Sequence, residues 1–246
     1  METLTQTLER LAMTFTVKDI MVPRKRLVCA STNAGAKSKL KEHPDFDSIP
    51  IMRKNGAICA YFHRHFNQRR SILLEDIISD ATSILDLVDI LKEREFCFIL
   101  TDRRIAGYIH FSDLNNPTVK IPFFVILENL ERRLVEEIRP DVNAANLNLV
   151  LNEQRIKAAK LKMQKMERKR ADYGWTSLLY FNEIVNFAVK LKTIRLKGKK
   201  IDLISNVRNL IAHADGPLVE EHAHVRRLSE AKDLCLSLLK SMSKNE

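Results

Sequence analysis

A chain of 246 residues, 45% hydrophobic and 29% charged, has the make-up of a globular protein large enough for two cores. No run approaches the roughly 18 consecutive apolar residues of a membrane-spanning helix, and METLTQTLERLAMTF carries Glu2 and Glu9 where a signal peptide has cations. A cytoplasmic protein with no membrane-spanning segment is expected, and the net charge of +10 favours polyanions: nucleic acid, nucleotides or an acidic membrane face.

Cys29, Cys59, Cys97 and Cys235 follow neither CxxC nor zinc-finger spacing. His63-x-His65 and His222-x-His224 have no cysteine or paired carboxylate to complete a ligand set, so no metal site is expected. Up to Asn116 the chain reads as short strands and tight turns, and after Pro117 as helices. The break at Asn115-Asn116-Pro117 predicts domains over 1–117 and 118–246. The first half holds a degenerate repeat. SIPIMRKNGAICAYFHRHFN (48–67) and EFCFILTDRRIAGYIHFSDLN (95–115) each read as strand, polar turn, strand and polar exit, and each follows a helical run, Ala34–Glu42 or Ser83–Glu93. Neither hairpin can bury both faces alone, so the two are expected to share one core.

TVKDIM (Thr16–Met21) followed by these two units resembles a tandem pair of cystathionine-β-synthase (CBS) domains, a Bateman-type module. The resemblance implies an adenine-nucleotide cleft lined by a Gly-apolar-apolar-Thr/Ser-x-x-Asp-Leu strand, whose Asp accepts from the ribose hydroxyls. The second unit reads Gly107-Tyr108-Ile109-His110-Phe111-Ser112-Asp113-Leu114, so Asp113, His110 and Ser112 are the implied nucleotide residues, with His at the hydroxyl position. The first unit, Ala60-Tyr61-Phe62-His63-Arg64-His65-Phe66, has no acid where one is needed. Asp113 can equally serve to cap the strand exit.

In the helical half, Ile121–Arg139 has an apolar stripe with Glu131 inside it, between Leu127, Leu134 and Val135; such a carboxylate needs a partner or a place at the stripe edge. Pro122 is expected in the first turn and Pro140 past the end. Glu153–Arg170 carries eight cations, among them Lys169 and Arg170, around a narrow seam of Ile156, Ala159, Met163 and Met166. That surface is either a solvated face or a phosphate contact. Trp175–Leu191 is apolar nearly all round, which predicts one helix that is central to a bundle or buried at a subunit interface. A helix from Ile201 should bury Leu203, Ile204, Val207, Leu210 and Ile211, and a last amphipathic helix spans Val225–Met242. Five helical segments with short connections argue for an up-and-down bundle.

The late helix ends in SNVRNLIAHADGPL (Ser205–Leu218). With Val207 at 0°, Arg208 falls at about 100°, Asn209 at about 200° and His213 at about 240°, all outward, with Asn209 and His213 as i, i+4 neighbours. Arg208 and His213 diverge too far to grip one phosphate, unless the turn at Ala214–Pro217 bends His213 back or a second copy supplies the missing half. The element resembles the Arg-x(4–6)-His motif of the HEPN ribonuclease family, as does a CBS pair followed by SDLNNP and an apolar, Glu-bearing helix. The bare spacing is weak, since Arg103 and Arg104 also satisfy it to His110.

The resemblance implies a helical bundle that dimerises so that two elements meet in one cleft. It also implies metal-free RNA cleavage leaving a 2′,3′-cyclic phosphate, and Glu131 and Glu183 as polar partners of the site. The expected fold class is therefore α+β, an N-terminal α/β CBS pair followed by an all-α HEPN bundle. The expected function is an endoribonuclease acting on RNA as a homodimer, with Arg208, Asn209, His213 and Glu131 catalytic, no catalytic cofactor, and AMP, ADP or ATP as regulatory ligand. The alternative is a non-catalytic, nucleotide-responsive protein that binds RNA or another protein or only dimerises, in which Arg208 and His213 pack or cap.

Overall fold

The structure is a computed structural model and describes residues 4–168, 174–213 and 216–242, so Glu2, Lys169, Arg170, Ala214 and Asp215 lie outside it. The chain divides into two compact units. A sheet unit comprises Met13–Val119 with Val219–Arg226, and a helical unit comprises Met1–Ala12, Lys120–Leu218 and Arg227–Glu246.

The sheet unit is built from β1 (Val22–Pro23), α2 (Asn33–Glu42), β2 (Ser48–Met52), β3 (Ile58–His63), β4 (Gln68–Ser71), β5 (Ile77–Ser79), α3 (Ile84–Leu91), β6 (Phe96–Thr101) and β7 (Arg104–His110). One sheet has the order β1-β7-β6-β5 and the other β2-β3-β4. The sequence repeat is structural. β5 runs parallel to β6 across α3, as the bridge from Ala30 runs parallel to Ile51 across α2. Each hairpin also carries a register shift, at Ile51/Met52 and at Ile99/Leu100. Because Ile51 faces Ala60 and Ile99 faces Gly107, Ala60-Tyr61-Phe62-His63 superposes in register on Gly107-Tyr108-Ile109-His110.

Thr32 and Ser83 cap α2 and α3 by accepting from the N–H groups of Gly35 and Asp86. α2 covers Ala60 and Phe62 on one side of β3, while Ile58 and Tyr61 meet Phe98 and Ile105, so the hairpins share an apolar core. The exposed strand β4 reads Gln-Arg-Arg-Ser, a cationic edge that resists pairing with another chain. Asn115 clamps the returning chain, donating to the Val219 carbonyl (2.8 Å) and accepting from its N–H (2.9 Å).

The helical unit holds α1 (Leu4–Ala12), α4 (Pro117–Ile138), α5 (Glu153–Arg168), α6 (Phe181–Lys190), α7 (Gly198–Ala212) and most of α8 (His222–Met242). α4 begins at Pro117 rather than Ile121, because a proline fits the first helical position and Asn116 accepts from Thr118 and Val119. Pro122 is therefore inside the helix instead of in its first turn. The segment expected as one helix over Trp175–Leu191 is broken. A 3-10 turn, Trp175–Leu178, precedes α6, and Glu183 caps the new start by accepting from Tyr180 N–H at 2.8 Å. On α7 the buried stripe is Ile201, Ile204, Val207 and Ile211, while Leu210 is 43% exposed, contrary to expectation. Among the described residues no helix is long and apolar enough to cross a membrane.

Candidate functional site

In the sheet unit, the end of β7 turns into a 3-10 helix, Phe111–Asn115, whose cap is made by the motif residues. Asp113 Oδ2 accepts from the His110 backbone N–H at 2.8 Å. His110 Nδ1 accepts from Ser112 N–H (3.3 Å) and pairs with Ser112 Oγ (2.8 Å). With Nδ1 accepting, the neutral ring carries its proton on Nε2. That Nε2 is buried without a hydrogen-bond partner, Asp47 Oδ2 lying 4.0 Å away. These residues border a cavity of about 240 Å³ together with Arg26, Ser48 and Tyr108. Burial raises the Asp113 carboxyl, the His110 backbone bond pulling it back, and burial lowers the His110 imidazole against the pull of Asp47 and Glu95. Asp113 thus both caps the strand exit and lines a cavity. In the first repeat Phe66 occupies the matching place, with the Arg70 guanidinium 3.7 Å over its ring.

The histidine pairs have other work. His63 Nδ1 accepts from His65 N–H at 3.2 Å, and His222 Nε2–H donates to the Leu91 carbonyl at the end of α3, 2.6 Å away. Among the described residues no three His, Cys, Asp or Glu side chains gather as a metal set.

In the helical unit, Arg208 and Glu131 meet. Arg208 Nη2 lies 3.7 Å from Glu131 Oε2, their side chains 37% and 26% exposed, and the guanidinium packs over the Phe181 ring at 5.9 Å. Arg208 does not face outward as the helical wheel implied. It borders the buried stripe, next to Ile201 and Ile204, because the stripe is centred toward them once Leu210 is outside it. Burial raises the Glu131 carboxyl, with Arg208 opposing. Glu131, Arg208 and Asn209 line a polar cleft of about 520 Å³.

His213 is not in that cleft. It is the exposed C-cap of α7, with φ −88° and ψ 130°, so its position on a helical wheel does not apply. Its tie to Asn209 is through the backbone, His213 N–H donating to the Asn209 carbonyl at 3.0 Å, and Lys120 Nζ donates to the His213 carbonyl at 2.7 Å. Glu183 does not join Arg208 either. It is buried and takes a bidentate bond from Arg155 (Nε to Oε1 2.8 Å, Nη2 to Oε2 2.9 Å). Sequence reasoning placed Arg155 in the surface charge run and overlooked Tyr180, Asn182 and Asn206 as cleft residues.

No protein-family model matches the chain, and no curated protein matches it. Among solved structures the chain is similar to the CBS domain of a bacterial CNNM/CorC family Mg2+ transporter in complex with ATP, at 14% identity over 47% of this chain and 92% of that one, TM-score 0.36. It is similar to CBSX2 in complex with AMP, at 17% identity over 44% of this chain and 98% of that one, TM-score 0.36. It is also similar to a hemolysin-like protein containing a CBS domain from Oenococcus oeni PSU, at 14% identity over 44% of this chain and 93% of that one, TM-score 0.35.

Proposed function

We propose that the protein is a metal-independent endoribonuclease that acts as a dimer and carries an adenine-nucleotide-responsive sheet unit. The observation that most supports the reading is the half-buried Arg208 guanidinium, oriented by Glu131 on the wall of a polar cleft. A held, always-charged fork suits the developing charge on a phosphoryl group. The exposed His213 lies outside its own chain's cleft and is free to enter that of a second copy. There its imidazole takes the proton of the RNA 2′-hydroxyl as that oxygen attacks the adjacent phosphorus. The bond to O5′ breaks and the departing oxygen takes a proton from solvent water, leaving a 2′,3′-cyclic phosphate and a 5′-hydroxyl end, while His213 returns its proton to solvent. The nucleotide is assigned to the cavity at Asp113 and His110, where the unpartnered Nε2–H is a ready donor.

The test is cleavage of structured and unstructured RNA in EDTA by wild type, His213→Ala and Arg208→Ala. Both substitutions are expected to abolish cutting, and activity surviving both would sink the assignment. For the sheet unit, melting with AMP, ADP or ATP should rise in wild type and not in Asp113→Ala. One observation favours a second reading, a non-catalytic nucleotide-responsive binding protein: Glu131 already neutralises Arg208, as a structural ion pair would. Absence of cleavage under every nucleotide condition, with binding that weakens steeply in salt, would establish that reading instead.

A further inference from the structure

The cleft at Arg208 offers more hydrogen-bonding groups than phosphate capture needs. Asn182, Asp202, Ser205 and Asn206 line it beside Arg208, and Ser205 Oγ is buried with no partner. A buried hydroxyl without a bond carries a desolvation cost that a ligand group can remove. Tyr180 lines the same cleft and is 65% exposed. Its ring is not loose, since the Arg155 guanidinium packs 4.4 Å over it and is itself clamped by Glu183. A tyrosine held by a fixed cation and otherwise open is a platform on which a base can stack.

We propose that this cleft is a nucleobase pocket for an unpaired nucleotide of an RNA strand, stacked on Tyr180 and read at its edge by Asn182, Asn206 and Asp202. The RNA partner rests on the ribonuclease reading above, whereas base capture follows from the lining itself. Asp202 only accepts hydrogen bonds, and the carboxamides both donate and accept. The lining therefore favours bases that carry an exocyclic amino group, adenine, cytosine and guanine, over uracil, whose edge presents two carbonyls and a single ring N–H; adenine and cytosine are the ones tested below. A paired base is excluded, because its edge and both faces are already occupied.

The experiment is fluorescence anisotropy with labelled oligo(A), oligo(C) and oligo(U) of equal length at one salt concentration, alongside cleavage in EDTA. Full-length wild type, Tyr180→Phe, Tyr180→Leu, Tyr180→Ala and Asp202→Asn are compared. Oligo(A) and oligo(C) are expected to bind more tightly than oligo(U). Tyr180→Ala and Tyr180→Leu should lose roughly tenfold or more in affinity, Tyr180→Phe should bind as wild type, and Asp202→Asn should narrow the preference. Equal affinity for the three strands, unchanged in Tyr180→Leu, overturns the base pocket even where RNA is cut. A retained preference without cleavage overturns the ribonuclease reading and leaves the pocket standing. Competition by CMP as strong as by oligo(C) overturns the assignment to an RNA strand.

Discussion

Arg155 and Glu183 meet across 28 positions of sequence, and the carboxylate is buried while also capping α6. Removing one partner strands a buried charge, so Glu183→Ala is expected to cost about 3 kcal/mol, read from urea unfolding. Titration acts on the sheet unit through two other buried groups. Burial lowers the imidazoles of both His63 and His110 below their ordinary value of 6.5. The unfolded chain then binds protons that the folded chain refuses, so stability is complete above pH 6.5 and falls as pH drops through the window below it. Asp113 and Glu131 have raised carboxyls, so they work in the opposite sense: acidification relieves them as pH falls from their raised values toward the ordinary carboxylate range. Melting temperature should therefore begin to decline as pH drops below 6.5, and His110→Gln should flatten the decline.

At the scale of elements, the second hairpin turns through Asp102 and Arg103, both left-handed with φ 47° and 68°. Glycine adopts that geometry without strain, so Arg103→Gly is expected to raise stability by up to about 1 kcal/mol in thermal or urea unfolding. Gly107 is the opposite case. A Cβ there would stand 2.8 Å from Met21 Sδ and 2.8 Å from the Val22 carbonyl, because β1 closes directly on β7. Gly107→Ala should cost about 1–3 kcal/mol by overpacking, measured the same way. Both hairpins, α2, α3, α5 and α8 were legible in the sequence, since their apolar spacing and turn residues act locally. β4 was not, because Gln68-Arg69-Arg70-Ser71 has no apolar alternation. The break before α6 was hidden because a segment apolar all round carries no phase to show where helix stops. The spacing showed that Glu131 needs a partner and the family resemblance tied it to the Arg208 element, whereas the residue pattern alone did not name the cation, which depends on how α4 meets α7. His213 is exposed, as its outward position on the wheel implied, but its angle could not be read there because a capping residue leaves the helical wheel.

For the whole molecule, the charge of +10 is concentrated in part on α5, where Lys157, Lys160, Lys162, Lys165 and Arg168 are exposed. If RNA runs along this face, changing Lys160, Lys162 and Lys165 to Gln should make log affinity fall less steeply with log salt. The slope should shrink by about 0.7 for each phosphate of a single strand that is no longer neutralised. Binding titrations at several salt concentrations give that slope, and an unchanged one would mark the face as merely solvated. The pairing of Val22 with Tyr108 and of Pro23 with Gly107 has a consequence in time. On the ribosome β1 emerges early and must wait for a partner more than eighty residues downstream, an interval of order ten seconds at typical synthesis rates. Each hairpin can zip within microseconds of its own emergence. The nascent protein thus passes through a stage in which the first hairpin has emerged but lacks the Phe98 and Ile105 side of its core, and the cavity wall at Asp113 has not yet been made.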